Sequence, residues 1–345
     1  VSGGNAVALD PEVAAGIAEH IYEQGWTDGL PALPATAESV ERMLAATARD
    51  PEEIAAQHPQ LERSVTVREI AVNAVMAGCL PEHFPVVLAA WDALSADRAA
   101  RGGGWQSTSG PGPLVIVNGP IRDRIGVNSA GGALGPGFRA NATIPRAIGL
   151  TVRNSFGIRP RELEQATIGT VGRWQMCIGE NEEASPWESL SVEAGLDPGR
   201  SAVSAMLVRT FEVVDNRSFT SHEEVLADLV DTVQRAGALI GRHSPTGIIL
   251  NPEHARLFAE AGMGKQDVRE WIVARAGRTE AQLQAVGKGL SHLPGGPFAP
   301  DHFHPTIADA RLATLPIIVA GSSNAAMSMV FRVLGLWSGQ SFPVP

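Results

Sequence analysis

The sequence predicts a mixed protein, α/β or α+β, with a helical N-terminal layer followed by a mixed α/β body. Three observations carry this. Helical patterns fill the chain up to the triple glycine Gly102-Gly103-Gly104. The buried-strand runs, Leu114-Val115-Ile116-Val117, Ala202 to Val214, Gly247 to Leu250 and Leu315 to Ala320, all lie beyond it. Helical stretches separate those runs, as in a sheet covered by helices. The glycines therefore mark the expected boundary. Residues 1–102 are the helical layer and 103–345 the catalytic α/β body, one continuous domain if the glycines are only a loop.

Taken in order, Pro11 to Gly25 reads as an amphipathic helix with Asp10 as N-cap and Pro11 at the first helical position. Thr36 caps a helix to about Thr47, and Asp50-Pro51 opens a short third one. Thr66 caps a helix ending near Cys79, Leu80-Pro81 interrupts, and Phe84 to Leu94 continues. Beyond the glycines, Pro113 to Asn118 is a buried strand that ends in Asn118-Gly119-Pro120. Thr143 to Phe156, Glu223 to Ala238, Asn251-Pro252 through Glu260, and Val268 to Ala276 read as helices. The tail from Met327 to Val344 alternates as a strand does. No internal repeat and no low-complexity tract stands out.

Hydrophobic residues make up 44% and charged residues 19%, ordinary values for a packed protein. The formal net charge of -10 argues against general nucleic-acid binding and attraction to anionic lipid. No apolar run approaches the roughly 20 residues a spanning helix needs. Val1 to Asp10 lacks the basic and apolar regions of a secretory signal. Two cysteines make neither a disulfide framework nor a four-thiolate cluster, so a reduced, cytoplasmic protein is expected, without a Cys79–Cys177 bridge.

Cys177 is the most informative residue. It precedes Glu180, Glu182 and Glu183 and lies between Trp174 and Trp187. An ionised thiol is a strong nucleophile, and carboxylates carry protons. Adjacent carboxylates disfavour the thiolate, so a cation is needed, which Arg173 or Arg139 supplies. The bland alternative is an inert buried thiol followed by a solvated acidic turn. The glycine-rich stretch from Asn128 to Gly137 runs into Arg139 and Asn141 at a helix start, where backbone N–H groups suit an anion. It lacks the Walker lysine and the dinucleotide spacing. Asp28 sits in an Asp-Gly turn, and His254 in the first turn of a helix after a buried strand, a position that often faces a ligand crevice. His302 and His304 form a His-x-His pair whose surroundings favour a loop. Gly321-Ser322-Ser323-Asn324 is a loop of the kind that lines pockets.

Four stretches together resemble an uncharacterised bacterial family found beside, or fused to, thioredoxin-like proteins bearing a selenocysteine-containing UGSC motif. They are Trp26-Thr27-Asp28-Gly29-Leu30-Pro31, Ala71 through Pro81, Arg139-Ala140-Asn141-Ala142-Thr143-Ile144, and Cys177 through Glu188. The resemblance implies positions of interest and a thioredoxin-like partner, not an activity. The positions are Asp28, Asn73, Asn128, Arg139, Asn141, Cys177, Glu180, Asn181, Glu182, Glu183 and His254. Ala32-Leu33-Pro34-Ala35 departs from the family's more proline-rich run, the C-terminal glycine loop lacks a Gly-Lys-His element, and the UGSC motif is absent.

The leading expectation is a lyase or hydrolase acting on a small, polar, anionic substrate by cleavage or formation of a C–N, C–S or amide bond, without a cofactor. Cys177, Glu180, Glu183 and His254 are the expected catalytic groups. Asp28, Asn73, Asn128, Arg139, Asn141, Asn181 and Glu182 are the expected substrate contacts, and Trp174 and Trp187 exclude water. The first alternative is a zinc, iron or manganese enzyme with Glu180, Glu183 and His254, or His302 and His304, as ligands. The second is a non-catalytic subunit that docks a thioredoxin-like protein. A homo-oligomer is expected in every case.

Overall fold

The computed structural model describes residues 10–239 and 241–345. The reading that the start carries no secretory signal concerns residues 1–9 and lies outside the described residues. The fold is mixed α/β, and its N-terminal part is helical. It comprises α1 (Pro11–Glu23), α2 (Ala37–Leu44), a hairpin of β1 (Ile54–His58) and β2 (Arg63–Thr66), α3 (Val67–Ala77), α4 (Phe84–Ala96) and the single turn α5 (Arg98–Arg101). The expected caps act as caps. The side chains of Asp10 and Thr36 accept from backbone N–H groups, and Thr66 forms a reciprocal capping box with Glu69. The short helix expected at Asp50-Pro51 is a correction. The Asp50 carboxylate closes a turn on Glu52 N at 2.8 Å, and the chain then pairs antiparallel with β2. Small residues hide the strand period there, since Ala55, Ala56 and His58 are the buried positions.

The body begins with β3 (Gly112–Asn118), α6 (Ile121–Ile125), α7 (Arg139–Asn154), β4 (Cys177–Gly179), the turn α8 (Leu190–Glu193) and β5 (Ala202–Asp215). It continues through α9 (His222–Val233), β6 (Thr246–Leu250), α10 (Pro252–Glu260), α11 (Lys265–Arg275), β7 (Gly277–Thr279), α12 (Glu280–Gln284), β8 (Phe303–Pro305), β9 (Ile317–Val319), β10 (Met327–Val333) and β11 (Phe342–Pro343). Seven strands form one sheet in the order β4-β3-β5-β10-β6-β9, with β11 alongside β5. β3 and β4 are parallel, as are β6 and β9, and every other pairing is antiparallel.

That order is a palindrome. β3, α6, α7, β4 and β5 are matched by β6, α10, α11, β9 and β10, and β5 meets β10 along the centre. The reading of no internal repeat is therefore corrected at the level of topology. Each unit opens with a buried strand with an asparagine at or just past its end, Asn118 or Asn251, and a nearby proline, Pro120 or Pro252, leads into a helix. The sheet curls until its edges meet, and Asn181 N, just past β4, donates to Val319 O of β9 at 2.7 Å.

Period-2 alternation sorts the strand residues onto two surfaces. Leu114, Ile116, Ile178, Met206, Ile318 and Phe331 fill the inside of the curl. On the outside, Val115, Val117, Cys177 and Ala205 pack on the helical layer in a cluster that runs from Ile21 to Val344 and so crosses residue 102. Ile248, Leu250, Ile317 and Val330 pack on α9, α10 and α11. Gly247 is required inside the curl, because a Cβ there would lie 2.0 Å from the ring of its cross-strand partner Phe331. No described helix is long and apolar enough to cross a membrane.

Candidate functional site

Strand alternation turns the Cys177 side chain toward the helical layer and gives it zero exposure. Burial pushes the thiol up, and the nearby Cys79 adds to the effect. Burial also pushes the Cys79 thiol up, to about 12. Both cysteines are free. Neither expected cation serves Cys177. Arg173 pairs with Glu164 at 3.1 Å and donates to Pro111 O and Trp105 O, while Arg139 donates to Gly78 O at 2.9 Å. A protonated thiol with no route to solvent is a poor nucleophile.

The acidic stretch ties the two units together. Glu180, fully buried, accepts from Asn118 Nδ2 at 2.8 Å and Leu190 N at 2.7 Å and pairs with Lys265 Nζ at 3.3 Å. Lys265 also reaches Glu188 O at 2.7 Å and Glu193 at 3.0 Å, and Arg269 holds Glu193 from the other side at 2.8 Å. Glu182 accepts from Asn118 Nδ2 and Gly119 N. Arg122 grips Glu183 with both terminal nitrogens and holds its carboxyl below the usual carboxylate range. Asn181 Nδ2 donates to Gly321 O at 3.2 Å. These side chains spend their bonding capacity on the protein, and the expectation that they converge with Cys177 on one cavity is corrected.

The other expected residues are similarly placed. Asn141, 3% exposed, donates to Asn128 O, Ala133 O and Cys177 O and accepts from Asn128 N, so it pins the glycine-rich loop to β4 and has no group left for an anion. Asn128 closes the loop through Gly131 O and Ala130 N. His254, with zero exposure, bonds Ser328 Oγ at 2.8 Å and Asn216 O at 3.2 Å, and burial lowers its pKa. It staples α10 to the sheet and faces no crevice. Trp174 stacks on Trp105 and Trp187 bonds Met263 O, in different cores. His304 pairs with Glu280 at 2.9 Å, and Glu280 also accepts from Leu290 N and Ser291. Among the described residues, no group of three or more His, Cys, Asp or Glu is placed to hold a metal ion.

A cavity of about 680 Å³ lies between α1, α3 and the end of α7. Its walls follow from helical spacing. Val13, Ile17 and Ile21 recur every fourth residue on α1, and Val72 and Met76 do so on α3. Trp26 and Leu33 close one side. The polar groups are His20, Glu69, Asn73, Asn154 and Ser155. Asp28 shapes this wall from behind. Burial raises its pKa, but hydrogen bonds and charge from Arg146 outweigh that and leave it lowered. Arg146 contacts Asp28 at 2.8 and 3.0 Å and also donates to Leu30 O and Pro31 O, which fixes the turn.

Asn73 donates to Glu69 O at 2.9 Å and accepts from Asn154 Nδ2 at 2.8 Å. Asn154 Nδ2 also reaches Trp26 O, while Asn154 Oδ1 is buried with no partner. The arrangement offers an apolar chamber with a few polar side chains in its wall. Of the expected site residues, only Asn73 lines it, and Asp28 supports it.

Sequence reasoning missed His20, Glu69, Asn154 and Lys265. The i, i+4 spacing of Glu69 and Asn73 was available, as was the scarcity of lysine, since Lys265 and Lys288 are the only two among 27 basic Lys and Arg residues. In comparisons with known proteins, no protein-family model, curated protein or solved structure matches the chain.

Proposed function

We propose that the protein binds a small organic molecule, with an apolar body and a polar end, in the cavity beneath α1. The carrying observation is a cavity of about 680 Å³ whose walls are largely apolar, with Asn73 and Asn154 as neutral polar side chains in the lining. A volume of that size, with apolar walls and a few polar side chains, suits a small-molecule ligand. Ile17, Ile21, Val72 and Met76 would cover the apolar body, and the polar side chains of the lining would face its polar end. His20 and Glu69 are the ionisable side chains of the lining, so any acid–base step here falls to them.

Thiol-dependent cleavage of a C–N, C–S or amide bond has less support, because Cys177 has zero exposure. A metal-dependent reaction has less support because the donors of Glu180 and His254 are committed within the protein. A second reading has one observation in its favour. Val13 is 54% exposed, Trp26 43% and Leu33 51%. A protein covering the mouth, such as a thioredoxin-like partner, would bury them.

The test is a thermal-shift screen of small amines and alcohols carrying aromatic or aliphatic bodies, repeated on Gly16→Phe. Gly16 lines the cavity and a Cβ there meets nothing within 4 Å, so a larger side chain starts without a clash. Ligands of this cavity should lose at least tenfold in affinity. Hits that bind the variant unchanged would place the ligand elsewhere and end the proposal.

A further inference from the structure

Arg153, near the end of α7, and Arg159, just beyond it, bring their guanidinium ends to one point beside Gly25. A side chain at residue 25 would begin 3.7 Å from Arg159 Nη1 and 3.9 Å from Arg153 Nη2. Glycine leaves that point empty, and its φ of +67° at the end of α1 favours glycine there. Arg153 is aimed by its Nε, which donates to Gly25 O at 2.9 Å.

Among the described residues no carboxylate pairs directly with either guanidinium, and the neighbouring Asp28 is already engaged by Arg146 at 2.8 Å. Asp28 and Glu162 act on Arg153 only through their charge, without a direct contact. Arg159 Nε is buried with no hydrogen-bond partner. Burial and the charge of Arg159 together lower the pKa of Arg153. Two adjacent like charges and an unanswered buried donor oppose folding. One ligand class, an oxyanion placed between the two guanidinium ends, would relieve the repulsion. Guanidinium forks match the oxygens of a phosphate group, and two positive charges favour a dianion over a carboxylate.

We propose that Arg153 and Arg159 form a phosphate-binding site at the point left open by Gly25. The site does not depend on what fills the cavity, although the adjoining residues Trp26 and Asn154 line it.

The test is calorimetric titration of the full chain with inorganic phosphate and with phenyl phosphate, at ionic strength held constant with chloride. Saturable binding of one equivalent is expected, at least tenfold weaker in Arg159→Gln. Tighter binding of phenyl phosphate would identify an esterified small molecule as the ligand. Equal or tighter binding of inorganic phosphate would identify the free ion. Arg159→Gln should also melt no lower than the unmodified protein when no ligand is present, because it removes an unpaired charge. Phosphate heats no larger than those of chloride would overturn the proposal, as would undiminished binding by both Arg159→Gln and Arg153→Gln. A marked fall in melting temperature for ligand-free Arg159→Gln would show the pair to be structural and overturn it too.

Discussion

Replacing Lys265 with Met asks whether the acidic stretch after β4 holds the protein together or performs chemistry. The Lys265 side chain is 4% exposed and that of Glu180 0%, and they meet at 3.3 Å. Removing one partner of a buried pair costs about 3–5 kcal/mol, chiefly because the other charge is left buried. Glu180 keeps two neutral donors, Asn118 Nδ2 and Leu190 N, and Glu193 keeps Arg269. The expected loss is therefore near the lower end, about 3 kcal/mol. For 345 residues, an unfolding entropy of about 2.1 cal/mol/K per residue makes that a fall of about 4 °C in Tm. Urea unfolding followed by tryptophan fluorescence measures it. Glu180→Gln should also destabilise, since it leaves the ammonium facing a neutral amide. The double variant should regain at least half the loss, because it removes both charges. An unchanged unfolding midpoint for Lys265→Met, or strict additivity in the double variant, would refute the clasp.

Three further outcomes follow from the geometry. With the Cys79 pKa near 12 against an ordinary 9.0, its thiolate fraction at pH 8 falls about 1000-fold, and enclosure slows reaction further. Iodoacetamide should therefore label Cys79 and Cys177 readily only after unfolding, and native labelling of Cys177 within tenfold of the unfolded rate would reopen the nucleophile reading. Asp28→Asn should cost about 1.5–3 kcal/mol at neutral pH, the range for hydrogen bonds to charged groups. Because the folded Asp28 pKa lies below the unfolded one, its contribution is complete above the unfolded pKa of about 3.9 and is lost as pH falls through the folded value. The gap between variant and unmodified protein in urea should therefore shrink at pH 3, and a gap that stays constant would exclude the ionised pair. Gly16→Phe should raise or preserve Tm without ligand, since glycine inside a helix costs roughly 0.5–1 kcal/mol relative to alanine, and a clear loss would mean that the mouth of the cavity does not accept the ring.

Features that depend on neighbours in sequence were legible, and those that depend on distant partners were not. Asp10, Thr36, Thr66 and Asn251 cap helices because their side chains reach backbone N–H groups two or three residues on, a relation visible in the sequence. The buried runs around Val115, Ile248 and Ile318 are strands for an equally local reason. Glu180 looked reactive because its partner Lys265 lies 85 positions away and gave no local sign of pairing. His254 invited a functional reading for the same reason, as its partners Ser328 and Asn216 come from other elements. The palindromic topology was hidden by unequal helices, since α7 has 16 residues with Pro145 inside and α11 has 11. The stripe Val13, Ile17, Ile21 reads as core, yet it faces an open chamber, and no single-helix pattern distinguishes the two.

The central ladder has a consequence for biosynthesis. The second half of β5, up to Asp215, pairs with β10, and Asp215 meets Met327 about 110 residues later in the chain. At about 5–20 residues per second, that edge waits roughly 6–22 seconds on the ribosome before its partner exists. Val213 and Phe211 lie on this stretch, and an unpaired apolar edge is a template for aggregation. Slowed translation between the two strands should therefore reduce soluble yield, and a chaperone that shields nascent strands should restore it.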